Sequence, residues 1–210
     1  MKYDERKYKA KTWKNFTFLH WILNPGLAIN ELVLGQRIPK LMLIDKTSDK
    51  PLMERTYVPC PHCNTLHDGR TWSTENGTAF KNWFGYYCPD CGDIIPCLHN
   101  GLAYLILAIT YPLWGWFSDN IRQQWLAKQP ARYENTGTEY PQYENTQWVK
   151  IGLTFGGIIF VAAAGMQVIL GSEQLIETLL VSLASSAVGG LTFGLIMKYW
   201  MGRRGHPTEN

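Results

Sequence analysis

The chain has 210 residues, of which 46% are hydrophobic and 18% are charged, and its formal net charge is +3. This length accommodates one small soluble domain with a membrane region and excludes two full globular domains. The mean hydropathy of −0.18 is typical of a soluble protein. That average conceals a division, because 13 of the 20 lysines and arginines lie in the first hundred residues and none lies between residues 151 and 197.

Residues 1–50 are predicted to form a basic N-terminal segment with two short helices. The apolar stretch from Phe16 to Leu34 is interrupted at Asn24-Pro25-Gly26 and is followed by no small-residue cleavage site, which argues against a signal peptide. Polar residues such as Glu31 make it a poor transmembrane helix. We expect it to lie at a bilayer interface, where lysines and arginines face anionic head groups, or to dock on the rest of the protein or on a partner.

Short strands are predicted after this segment. Residues 38–44 form a compact apolar run, residues 46–50 form a turn, and residues 54–58 lead to the first cysteine pair. Farther along, Asn76-Gly77 is a strong signal for a β-hairpin.

Two C-x-x-C pairs, Cys60-Pro61-His62-Cys63 and Cys88-Pro89-Asp90-Cys91, are separated by 24 residues. Four thiolates at this spacing predict a closed tetrahedral metal site. In each pair a proline fixes φ after the first cysteine, and Asn64 or Gly92 can adopt positive φ after the second. Backbone N–H groups in such a turn point at the sulfurs and stabilise thiolates.

Two knuckles of this kind resemble the zinc-ribbon family, and the resemblance covers about residues 57–95. It implies a small β-rich domain, at residues 51–97, with each knuckle at the tip of a hairpin. It also implies one structural Zn²⁺ bound by Cys60, Cys63, Cys88 and Cys91. A rubredoxin-like iron site is the less expected alternative, because Asn64 stands where rubredoxins usually have a glycine, and two disulfides are a third reading.

The remaining cysteine and the nearby histidines are not expected to bind the metal. Cys97 has no partner and is interpreted as a buried free thiol. His62, His67 and His99 lie close to the knuckles, but four thiolates already complete a site.

The aromatic residues between and beside the knuckles are predicted to form a core. A stacking surface for nucleic acid is the alternative, but only Arg70 and Lys81 are basic in this stretch, too few to bind phosphates. A domain this small also needs large side chains to build its interior. The residues concerned are Trp72, Phe80, Trp83, Phe84, Tyr86 and Tyr87.

Three segments are apolar enough to enter a membrane: residues 101–117, 151–170 and 175–197. If all three cross, seven positive charges are translocated; if only the last two cross, all 20 stay on one side. We therefore predict a transmembrane helical hairpin at residues 149–200. Residues 98–148 would hold a re-entrant or interfacial segment bent near Pro112 and a polar surface linker, and residues 201–210 a basic tail. Three full spans are the alternative.

The same charge distribution predicts the compartment. Reduced thiolates and the lysine and arginine bias place the ribbon on the cytoplasmic side of a plasma or inner membrane.

Small residues recur every four positions in the two later segments. Ser182, Ser186, Gly190 and Gly194 lie on one face of the last segment, and Gly152 and Gly156 recur in the same way in the segment before it. Such faces let helix backbones approach closely, either within the hairpin or against another membrane-protein subunit.

No catalytic motif is present in the sequence, and a four-thiolate zinc has no open position with which to activate water. We predict a non-enzymatic, membrane-anchored adaptor or accessory subunit of a larger membrane complex. The alternatives are a membrane-tethered rubredoxin-like electron carrier and a membrane-held module that binds nucleic acid or a client, of which nucleic acid is the less expected partner.

Overall fold

The computed structural model describes residues 3–134, 140, 147–169 and 175–202. The chain divides into two compact units, Met1–Pro141 with Gly205–Asn210 and Gln142–Arg204. The strands are β1 (Tyr8–Lys11), β2 (Ile38–Pro39), β3 (Met42–Asp45), β4 (Thr56–Pro59), β5 (Leu66–Asp68), β6 (Tyr86–Tyr87), β7 (Ile94–Ile95) and β8 (Cys97–Leu98). The helices are α1 (Phe16–Leu23), α2 (Leu27–Leu32), α3 (Gly101–Trp114), α4 (Ser118–Ala127), α5 (Gln129–Tyr133), α6 (Trp148–Ile169) and α7 (Leu175–Met201).

The main sheet of the first unit is antiparallel and has the order β1-β3-β4-β5. Its two central strands, β3 and β4, are mostly buried, and Leu43 and Val58 lie in the interior. Strands from the first 45 residues thus pair with strands next to the cysteine pairs. The predicted domain boundary at residue 50 falls inside this sheet, because β3 pairs directly with β4.

Each cysteine pair lies at the tip of a hairpin. The first hairpin consists of β4 and β5, with Val58 opposite His67. The second consists of β6 and β7, with Tyr87 opposite Ile94. A third short pair joins β2 to β8 and connects the N-terminal region to the segment that follows the second knuckle.

The N-terminal apolar stretch forms two helices, as the sequence predicts. The break lies at Asn24-Pro25-Gly26, where the side-chain oxygen of Asn24 accepts a hydrogen bond of 2.9 Å from the Gly26 N–H. α1 buries Phe18 and Trp21 against the rest of the unit. Other apolar side chains of the two helices face outward, among them Phe16, Leu23, Ile29 and Val33.

The predicted hairpin at Asn76-Gly77 is wrong, although the turn itself forms and Gly77 has a φ of 67°. No strand occurs between residues 73 and 85, all of which the structure describes. In this stretch, backbone carbonyls accept hydrogen bonds from side chains rather than from a neighbouring strand. The Thr78 hydroxyl donates to the Thr71 carbonyl at 2.6 Å, and the Asn82 amide donates to the Thr78 carbonyl at 2.8 Å.

Aromatic side chains form the core beneath the knuckles. Trp72 stacks on Tyr86 with a centroid distance of 4.6 Å, and Tyr87 packs on Tyr133 at 5.2 Å. The core prediction is therefore confirmed for Trp72, Tyr86 and Tyr87. Phe80 and Trp83 differ, because each remains 38% exposed.

The prediction of a polar surface linker after residue 117 is corrected. Residues 118–133 form α4 and α5, and Tyr133 is buried in the aromatic core. Polar residues dominate this stretch, but Trp125 and Tyr133 fall on the side that faces the domain and bury apolar area there. The rest of the predicted linker lies mostly outside the described residues.

The first apolar segment begins against α1 and α2, and the helices that continue it contact the same unit again. α3 ends two residues after Pro112, and a 3₁₀ turn at Gly115–Phe117 leads into α4. The Trp125 indole then donates to the Lys81 carbonyl at 2.7 Å, and Arg132 donates to the Phe80 carbonyl at 2.7 Å. Both ends of the run from α3 to α5 are thus attached to the same unit.

The second unit is a tightly packed pair of helices, α6 and α7. A Cβ atom added to Gly152 would lie 2.6 Å from the Gly190 carbonyl oxygen, and one on Gly156 would lie 2.5 Å from that of Ser186. The small-residue faces are therefore occupied within the hairpin. Packing within the hairpin, one of the two predicted contacts, is thus observed, and contact with another membrane-protein subunit stays a prediction.

Among the described residues, three helical runs are long and apolar enough to cross a membrane: Gly101–Tyr133, Trp148–Ile169 and Ile176–Met201. The first of these comprises α3, the 3₁₀ turn, α4 and α5.

Candidate metal centre

Four cysteines converge between the two hairpin tips. The sulfur atoms of Cys60, Cys63, Cys88 and Cys91 all lie within 4.8 Å of one another. Two separations across the knuckles are 3.7 Å, from Cys60 to Cys91, and 3.8 Å, from Cys63 to Cys88. Cys60 and Cys88 are fully buried, whereas Cys63 and Cys91 are exposed. Four thiolates gathered in this way could hold a metal ion.

The two knuckles share one backbone pattern. In the first, the Cys60 N–H donates to the Thr65 carbonyl at 2.9 Å and the Asn64 N–H donates to the Cys60 carbonyl at 3.0 Å. In the second, the corresponding bonds at Cys88 and Gly92 are both 2.9 Å. The predicted positive φ is confirmed at both positions, 62° at Asn64 and 79° at Gly92. Asparagine tolerates this left-handed conformation better than most residues, so it can replace glycine here.

Burial disfavours ionisation of the two inner thiols, those of Cys60 and Cys88, when no metal ion is bound. It raises the pKa of Cys60 and raises that of Cys88 much further, although backbone N–H groups of each knuckle oppose the effect by donating to the sulfur. A bound cation supplies the missing opposite charge and deprotonates such a thiol. The inner half of the cluster is thus suited to a metal ion rather than to free thiolates.

The pKa of the exposed thiol of Cys63 shifts in the opposite direction. The Thr65 hydroxyl lies 3.3 Å from its sulfur and, together with the Thr65 N–H, lowers the pKa of Cys63 to about 6. This thiol is therefore ionised at neutral pH before any metal binds.

His67 is the residue beside the cluster that the sequence did not reveal. Its Nε2 atom lies 3.1 Å from the Cys88 sulfur, and the side chain is buried on β5. Burial lowers the pKa of His67, so the ring stays neutral and can donate its N–H to the thiolate. The position of His67 in β5 could have indicated this contact. Successive side chains of a strand point to opposite faces, and His67 is buried while its neighbours Leu66 and Asp68 are not.

The rings of the other two histidines contact carboxylates instead. His62 lies in the first knuckle, 3.8 Å from the Asp93 carboxylate. His99 belongs to a separate polar cluster.

That second cluster is built on Glu31, which is buried in α2. Its carboxylate pairs with Arg37 and lies 2.9 Å from Nδ1 of His99. The Asn100 N–H donates to the other carboxylate oxygen at 2.7 Å. The sequence marked Glu31 only as a residue that needs a partner, and these three contacts supply it.

Asn100 connects this cluster to three helices. Its side-chain amide donates to the carbonyls of Trp21 and Asn24, both at 2.7 Å. Its side-chain oxygen accepts from the N–H groups of Leu102 and Ala103 and so caps the start of α3. A fully buried asparagine with every polar atom bonded fixes the position of α3 against α1 and α2.

The chain is similar to one protein family over part of its length. A family described as "Domain of unknown function (DUF8250)" matches residues 11–107. The match includes both N-terminal helices, both knuckles and the first half of α3. No curated protein and no solved structure matches the chain.

Proposed function

We propose that the four cysteines hold one structural Zn²⁺ ion. The observation that carries this is the sulfur geometry: tetrahedral zinc with sulfur ligands at about 2.3 Å requires sulfur atoms about 3.8 Å apart. Two pairs across the knuckles lie at 3.7 and 3.8 Å, and all four sulfur atoms lie within 4.8 Å of one another. All four coordination positions are then filled by protein, as in structural rather than catalytic zinc sites.

We further propose that the protein is a non-enzymatic membrane-anchored adaptor or accessory subunit of a larger membrane complex. A closed metal site argues for a role in folding and in presenting a surface. The apolar residues that α1 and α2 turn outward, such as Ile29 and Val33, offer a surface of this kind. Its partners would be other membrane-protein subunits, with the bilayer as the surrounding medium.

For the topology we propose a two-span hairpin of α6 and α7, with the ribbon on the cytoplasmic side of a plasma or inner membrane. The return of α4 and α5 to the unit from which α3 departs favours a re-entrant first segment. The contacts of Trp125 and Arg132 with the carbonyls of residues 80 and 81 support this return. The same topology keeps every lysine and arginine on one side.

The first test is metal analysis and a visible spectrum of the detergent-purified full chain. We expect about one zinc per chain and no visible absorption. Iron together with visible absorption would contradict the adaptor role and indicate an electron carrier, because the same sulfur geometry suits both metals.

The adaptor role is tested by photo-crosslinking from position 29 in intact membranes. We expect a discrete protein adduct from a photoreactive residue at position 29 and none from one at position 75, which is also exposed but polar. Adducts to lipid alone from position 29 would contradict the adaptor role and make this surface an interfacial one.

A further inference from the structure

A cavity of about 630 Å³ lies between α3 and α4 in the first unit. This volume is within the range of about 300–1,000 Å³ typical of small-molecule sites. Its walls are mainly aromatic and aliphatic, as in most such sites. The apolar lining residues are Leu32, Trp83, Phe84, Leu107, Trp114, Ile121 and Trp125.

The charged lining residues and His99 gather at one end of the cavity, while Thr110 and Gln124 lie along α3 and α4 and form hydrogen bonds within their own helices. His99 lies two residues before α3 begins, and Lys128 directly follows the end of α4. Both are therefore at the end where the two helices meet the rest of the unit. Trp114 and Ile121 lie toward the turn that joins the helices, so the cavity has a polar end and an apolar end.

The charge at the polar end is positive. Glu31 and Arg37 line the cavity but neutralise each other in their buried ion pair. Lys128 forms no ion pair with any residue that the structure describes. Nδ1 of His99 lies 2.9 Å from both the Glu31 carboxylate and the Arg37 guanidinium, while 45% of the His99 side chain remains exposed and can contact a ligand.

We propose that this cavity binds a single-chain amphiphile with an anionic head group, such as a fatty acid or a lysophospholipid. The chain lies among Trp83, Trp114 and Trp125, and the head group contacts Lys128 and His99. The shared chemistry of these ligands, one apolar chain and one anionic group, matches the two ends of the cavity. In a membrane protein the surrounding bilayer supplies such molecules.

The test uses 11-(dansylamino)undecanoic acid as a probe and the full chain held in amphipol, which leaves no free detergent to compete. Directly excited dansyl emission reports binding. We expect saturable binding that Leu107→Trp, which fills the cavity, weakens by about tenfold or more. The matched control Leu113→Trp lies on the same helix with a side chain that is 75% exposed, and should bind as the parent chain does.

The head group is tested separately. Lys128→Gln should weaken binding of the acid about tenfold, as expected for the loss of one hydrogen bond to a charged group, and should leave binding of its neutral primary amide unchanged. Equal binding of acid and amide to the parent chain would overturn the anionic preference. Absence of saturable binding, or equal loss in Leu107→Trp and Leu113→Trp, would overturn the site.

Two further measurements complete the design. If Leu107→Trp lacks the parent circular dichroism spectrum, Ile121→Trp replaces it, because that residue lines the cavity from α4 with a partly exposed side chain. Mass spectrometry of lipids that remain with protein purified from membranes distinguishes the sources. A retained fatty acid or lysophospholipid that Leu107→Trp loses supports the proposal, and equal retention by both chains contradicts it.

Discussion

The Nε2 atom of His67 lies 3.1 Å from the sulfur of Cys88, on a strand that begins just after the first knuckle. One hairpin thus donates to a cysteine of the other. The contact lies in the interior, since both side chains are buried. It connects the two halves of the cysteine cluster by a hydrogen bond.

Replacing His67 by alanine should weaken metal binding by about 10- to 100-fold, the usual effect of removing a hydrogen bond to a metal ligand. The reason is that the Cys88 thiolate loses its side-chain donor in a buried site. Competition with a chromogenic chelator measures the affinity. His62→Ala is the matched control, because His62 is exposed and lies 3.8 Å from its acidic neighbour; equal losses in both variants would contradict a specific role for His67.

Replacing Cys88 by serine should abolish metal binding and the order of the first unit. Binding of structural zinc contributes apparent free energies of about 10–16 kcal/mol in small domains, as large as the whole stability of about 5–15 kcal/mol of a typical protein. Metal content and near-ultraviolet circular dichroism measure both effects. Cys97→Ala, which removes a buried thiol outside the cluster, should keep the metal. A metal-free Cys88→Ser chain with the parent spectrum would contradict the prediction.

The α6–α7 hairpin provides a comparison between two adjacent glycines. Gly156→Ala should destabilise the helix pair by about 1–3 kcal/mol, because the added methyl group meets the Ser186 carbonyl. A Cβ atom added to Gly157 meets no atom within 4 Å, so Gly157→Ala should leave the stability of the helix pair unchanged or raise it slightly. Loss of helicity during titration with sodium dodecyl sulfate measures both. Identical transitions would mean that the helices do not pack through this face.

Glu31→Gln should lower the free energy of unfolding of the first unit by about 3–5 kcal/mol, because it leaves the Arg37 guanidinium buried without its counter-charge. Guanidinium denaturation followed by tryptophan fluorescence measures the change. The exposed Glu75→Gln should change stability by less than about 0.5 kcal/mol. The double variant Glu31→Gln/Arg37→Met should recover part of the loss, and no recovery would show that the charge of Arg37 is not the cause.

The number of spans is tested by fusing green fluorescent protein to either end of the chain. A two-span hairpin keeps both ends in the cytoplasm, so both fusions should fluoresce. With three spans one end is exported by the general secretory route, where this reporter does not fold. Fluorescence from only one of the two fusions would therefore contradict a re-entrant α3.

The local features of the chain were predictable because each depends on a few neighbouring residues. The positive φ at Asn64 and Gly92 follows from the turn chemistry of a C-P-x-C pair, and the helix break follows from Asn24-Pro25-Gly26. The buried state of Cys97 was also predicted correctly. In each case the sequence pattern and the observed conformation depend on the same residues.

Features that join distant segments were not predictable. Nothing in the sequence pairs Glu31 with His99, or sets His67 against Cys88, because each contact joins residues that are far apart in the chain. The Asn76-Gly77 signal failed for a related reason: the side chains of Thr78 and Asn82 bind backbone groups that a hairpin would have paired. The helical nature of residues 118–133 was hidden by their polarity, since only Trp125 and Tyr133 mark the buried side.

The path from the second knuckle to α3 is short. Only eight residues separate Cys91 from Asn100, and they include the paired strands β7 and β8. No flexible linker stands between the second cysteine-bearing hairpin and the first apolar helix, and Asn100 attaches the start of that helix to α1. A metal ion held by the four sulfurs would therefore stiffen the chain directly before a helix that the ion does not touch.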